Sequence, residues 1–88
     1  MSTVQEVRER AAASIDRTRN SIWGWPLDGC AGEPWGYELH VAWVSAWNAT
    51  GREKPAEEHL RVWLADDANI QRALDRAAAH ALPPEARP

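Results

Sequence analysis

Few residues of this chain carry reactive chemistry, and Cys30 is the first to weigh. It lies in a glycine-rich stretch beside Asp28, with His40 downstream. A nucleophilic cysteine needs its pKa lowered by a helix N-terminus or a neighbouring histidine. Cys30 falls near the start of a predicted helix, but its spacing to His40 matches no catalytic signature. It is read as a small apolar packing residue. His40, His59 and His80 fall on different predicted helices, and none belongs to a His-x-x-x-His pair. They are read as solvated or half-buried histidines, with no metal and no cofactor. Asp66-Asp67 reads as a helix cap, and Glu57-Glu58 as first-turn compensation of a helix dipole. No catalytic pair is assigned, and the balance is against an enzyme.

Arg8, Arg10, Arg17 and Arg19 cluster in the first segment, but Glu6, Glu9 and Asp16 interleave them and cancel their field. They are read as a solvated helix face. Ten basic against thirteen acidic residues give a net charge of −3, which argues against binding a phosphate backbone. Nine of the ten basic residues are arginine and alanine occurs sixteen times, a bias that points to a high-GC bacterial or phage genome. The single cysteine forms no internal disulfide and fits a reducing compartment. Met1 to Glu6 is polar, without the basic and apolar regions of a signal peptide. No apolar run is long enough to span a bilayer. A cytoplasmic protein with no membrane association is expected.

The strongest lead is aromatic. Six tryptophans, Trp23, Trp25, Trp35, Trp43, Trp47 and Trp63, stand in 88 residues with one tyrosine and no phenylalanine. Each side chain buries roughly 150–250 Å² and carries an N–H that needs an acceptor. A domain this small can wholly bury few of them, so some should be half-exposed at a surface that meets something. Trp35, Trp43, Trp47 and Trp63 read mainly as core. Trp23 and Trp25 sit in a loop, with less core to enter.

The elements that position these residues follow from periodicity and punctuation. Thr3 to about Ile22 reads as an amphipathic helix, with Thr3 and Glu6 spaced as a capping box and Glu6–Arg10 as an i,i+4 pair. Val4, Val7, Ala11, Ile15, Thr18 and Ile22 make a narrow apolar stripe suited to a flat, bulky neighbour. Residues 23–34 hold three of the five glycines and two prolines, and read as an ordered loop. Pro34 suits the first turn of a second helix running to about Thr50, stopped by Gly51. Trp35, Leu39, Trp43 and Trp47 recur every four residues, with Tyr37, Val41 and Val44 on the opposite side and Glu38 on a polar edge. A helix apolar nearly all round is central in its domain or covered by another chain. Residues 35–43 also alternate as a strand would, but the alternation dies at Val44 and a lone ribbon is marginal. Pro55 opens a third helix, and Asp66 or Asp67 caps a fourth from Ala68 to about Leu82; one bent helix is the alternative.

The expected architecture is therefore an all-α, single-domain bundle of three to four helices over residues 1–82. A Gly/Pro/Trp-rich loop joins the first two helices, and residues 83–88 form a flexible tail. The expected function is that of a non-catalytic binding protein, an accessory, regulator or inhibitor of a protein partner, or a self-associating chain. Its candidate contact residues are Trp23, Trp25, Leu27, Trp35, Tyr37 and Trp47. The alternative is a small-molecule binder or minimal enzyme with an aromatic pocket around Trp25, Trp35 and Trp43.

Overall fold

A computed structural model of the chain describes residues 2–19 and 24–80. Among them the fold is all-α: α1 (Val4–Thr18), α2 (Gly36–Ala49), α3 (Ala56–Leu64) and α4 (Asp67–His80), with a 3₁₀ turn at Asp28–Cys30 and no strand. The expected ends of the first helix at Ile22 and of the fourth at Leu82, the tail 83–88 and Trp23 lie outside the described residues. No described helix is long and apolar enough to cross a membrane.

Each helix begins where a local signal places it. The Thr3 hydroxyl accepts the Glu6 backbone N–H at 3.1 Å, half of the expected capping box. Arg10, however, pairs with Glu33 rather than Glu6, because the segment leading into α2 passes over that face of α1. α2 starts at Gly36, two residues later than Pro34 would have it. The chain turns once more between Glu33 and Gly36, whose N–H donates to the Glu33 carbonyl at 3.0 Å, before the Leu39 N–H closes onto Trp35 O. Residues 35–43 are thus turn and helix, not strand. Gly51 ends α2 with φ +73°, the left-handed geometry that glycine adopts without a Cβ penalty. α3 follows Pro55. Asp66 then separates α3 from α4, its carboxylate accepting the Ala68 N–H at 3.0 Å. Two helices, not one bent one, fill this region.

One cluster of buried side chains joins the elements. α1 gives Val7, Ala11 and Ile15, α2 gives Leu39 and Trp43, α3 gives Leu60 and Leu64, and α4 gives Ile70 and Ala73. Leu27, Cys30 and Trp35 enter the same cluster from the segment between α1 and α2. The small residues of α1 are what let that segment approach. The Ser14 hydroxyl donates to Pro26 O at 2.7 Å and accepts the Gly29 N–H at 2.8 Å, so one buried side chain satisfies a backbone group in the 3₁₀ turn and another just before it. Gly36 is similarly constrained: a Cβ there would lie 2.0 Å from the Cys30 carbonyl oxygen.

Two charged residues depart from the sequence reading. Arg8 is not simply a solvated residue on α1. Its Nε donates to Leu64 O at 2.8 Å, satisfying a carbonyl at the end of α3, and its guanidinium reaches Asp67 at the start of α4. Glu38 is no exposed polar edge. It is 7% exposed and lies 2.5 Å from His80 Nδ1, tying the first turn of α2 to the last turn of α4.

Candidate functional site

The residues with reactive side chains are occupied by structural work. Cys30 is buried, and burial pushes its thiol up from the usual value, against a lowering hydrogen bond with Ser14. Closed into the core, the thiol lacks the exposure of a nucleophilic cysteine. His59 Nδ1 accepts the indole N–H of Trp43 at 3.1 Å, His80 meets Glu38, and the ring of His40 lies between Trp25 and Trp43. The three histidines thus have separate jobs, and no group of three or more metal-ligating side chains comes together among the described residues.

The tryptophans divide by burial. Trp43 is 0% exposed and Trp35 3%, each with its N–H satisfied internally, Trp43 by His59 and Trp35 by the Ser2 hydroxyl at 3.1 Å. Trp47 and Trp63 are half-buried, and Trp25 is 41% exposed. Leu27, at 2%, is core. Of the six candidate contact residues, therefore, Leu27 and Trp35 face inward and Trp23 lies outside the described residues. Tyr37 is 73% exposed on the outer side of α2. Trp25 and Trp47 are the two brought together.

They meet across an open groove of about 470 Å³. Trp25 and Pro26 form one wall, Trp47 and Arg52 another, and Ile15, Thr18, Arg19, Gly24, Ala56 and Glu57 complete the lining. A train of ring contacts underlies it. Trp25 meets His40 edge-on at 5.3 Å, His40 meets Trp43 at 6.3 Å, and Trp43 stacks on Trp47 at 5.4 Å with the planes 10° apart. The guanidinium of Arg52 sits 4.5 Å from the Trp47 ring centroid, a cation–π contact. Arg52 holds this place with φ +56°, a left-handed backbone uncommon for a residue with a side chain. Its Nε donates to Asn48 Oδ1 at 2.5 Å, and Trp47 Nε1 donates to Lys54 O at 2.9 Å. Sequence reading missed Arg52; the signal was a cation placed just after the Gly51 stop, five residues beyond Trp47.

One end of the groove is an ion network. Glu57 accepts from Arg19 at 2.7 Å and from Arg61 at 3.0 Å, and Arg61 also reaches Asp16 at 3.1 Å. The hydrogen bonds from Arg19 and Arg61 hold the Glu57 carboxyl below its usual range. The groove therefore offers two aromatic faces, a pinned arginine and a charged rim. It offers apolar contact and polar orientation. The aromatic pocket expected around Trp25, Trp35 and Trp43 does not form as an open site, since Trp35 and Trp43 are closed in the core. No family model, curated protein or solved structure matches this chain.

Proposed function

We propose that this chain is a non-catalytic binding protein, an accessory, regulator or inhibitor that grips a protein partner through the Trp25–Trp47 groove. The observation that carries the reading is the exposed indole of Trp25, held edge-on by His40 beside the Trp47–Arg52 pair. Tryptophan and arginine are the residues in which interface energy concentrates, and rigid placement lowers the entropy lost on docking. The fitting partner inserts an apolar side chain between the two indoles and sets a polar group against Arg52 or the Arg19–Glu57 rim. A single free thiol suits the cytoplasm as the place of action.

Trp25→Ala tests this directly. Affinity capture from the native host with the wild-type chain should retain a partner that the variant loses by about thirtyfold in affinity, as for a central anchor. The helical circular dichroism of the two should agree. Equal retention by both would overturn the reading. The groove's volume also falls in the range of small-molecule sites. Saturable quenching of tryptophan emission by a metabolite, lost in Trp25→Ala, would shift the ligand class from protein to small molecule.

A further inference from the structure

A second surface lies on the other side of α2, where it packs along α4. The two helices run in opposite directions: Glu38 at the start of α2 meets His80 at the end of α4, while Thr50 after α2 shares a groove with Asp66 and Asn69 at the start of α4. This groove, about 580 Å³, continues into another of about 300 Å³, the two sharing Trp63 and Asn69. Its apolar positions are half-buried Val41 and Trp63 with the 65%-exposed Val62, and Tyr37 stands one turn before Val41.

Charge on this face leans to opposite signs at its two ends. Arg72 and Arg76 line the end toward Tyr37. Glu53 and Asp66 line the other end, with Lys54 among them, and Glu58 is one turn from Val62 on α3. Asp66 and Arg76 are ten residues apart, about 15 Å along the α4 axis. Arg72, Arg76, Glu53 and Glu58 make no ion pair among the described residues, which leaves these charges open to a partner. An apolar strip with a basic end and an acidic end is complementary to itself under a half-turn. Rotation about an axis through the Trp63–Asn69 centre sets each basic end on the other copy's acidic end. It also sets Tyr37 near Val62.

We propose that the α2–α4 face is an isologous dimer interface, its occupant a second copy of this chain. Such an interface uses the same patch on both protomers. A polyanion or an anionic membrane would be repelled by the acidic end, and a partner of a single sign would leave half the charges opposed. The inference is independent of the Trp25 groove, which lies on the other flank of α2.

Light scattering across a concentration series tests it, read against the 9.9 kDa of one chain. The wild type should reach twice that mass. The doubly reversed variants Arg72→Glu/Arg76→Glu and Glu53→Lys/Glu58→Lys should each raise the dimer dissociation constant by about tenfold or more. Their equimolar mixture should regain the dimer, because the reversed charges match again. Val62→Lys, at an exposed position with no core to disturb, sets a cation against the other copy's basic end and should weaken dimerisation independently, and circular dichroism checks that every variant is folded. A wild type that stays at one chain mass up to about millimolar concentration would overturn the proposal. So would a dimer untouched by either reversal, or reversed variants that fail to recombine.

Discussion

Trp43 and Trp25 flank the same histidine, yet one is fully enclosed and the other is 41% exposed. Trp43 projects from the inner side of α2, where α3 supplies His59 as the acceptor for its N–H. Trp25 comes from the segment after α1 and crosses the His40 ring at 83°, with 41% of its surface left to solvent. The difference teaches that an indole becomes core when packed helices cover both its faces and an internal acceptor meets its N–H. Where the cover is one-sided, the same side chain becomes a contact surface. Trp47 is intermediate, stacked on Trp43 beneath and capped by Arg52 above.

Substitutions sharpen or break this contrast. The largest effect belongs to Trp43→Ala, which should cost about 3–5 kcal/mol in chemical denaturation, as emptying a core aromatic site does. If its cost matched that of Trp25→Ala, the division between core and rim would be void. Gly36→Ala follows, at or above the ~3 kcal/mol end of overpacking losses. The added methyl meets a backbone carbonyl rather than a flexible side chain. Ser14→Ala should cost about 1–3 kcal/mol, because Gly29 N–H loses its buried partner and Pro26 O keeps only the longer bond from the Thr18 hydroxyl, at 3.4 Å. Its signature is accelerated hydrogen exchange at Gly29. Trp25→Ala should cost under about 1.5 kcal/mol in stability, below the range for an emptied core site, while weakening partner affinity by about thirtyfold.

The smallest effect is electrostatic. Glu57 has its carboxyl pKa depressed in the folded chain by Arg19 and Arg61. Its contribution to stability is therefore complete above the unfolded carboxylate pKa and is lost as pH falls through the depressed folded value. Glu57→Gln should flatten the acid limb of a pH–stability profile slightly and leave its alkaline limb unchanged. The pair network is solvent-exposed and salt-screened, so the same flattening should appear for the wild type in high salt.

The helices were legible in the sequence because their signals are local. Thr3, Gly51 and Asp66 each act on backbone groups within a few residues, and the i+4 run Trp35, Leu39, Trp43 outweighed the competing alternation. The parts that stayed hidden depend on distant pairings. Nothing near Glu38 announces that His80 will cover it, and nothing near Arg8 announces the open carbonyl of Leu64. Leu27 and Trp35 count among the candidate contacts, Trp35 while reading mainly as core, because they sit in or beside a stretch that reads as loop. The Ser14 bridge draws that segment onto α1 and turns both inward. For the candidate site, the sequence indicated the aromatic residue type, and two of those residues, Trp25 and Trp47, line one groove. The cation over Trp47 and the self-complementary face of α2 and α4 needed the third dimension.

Cys30 makes the molecule its own clock. As the chain's one thiol, buried where the 3₁₀ turn packs on α1, it meets an alkylating reagent only when that contact parts. The rate at which it is labelled under native conditions counts those partings, separately from unfolding of the whole chain. Any occupant that clamps the neighbouring aromatic wall would slow the count, giving a readout of engagement that needs no added dye.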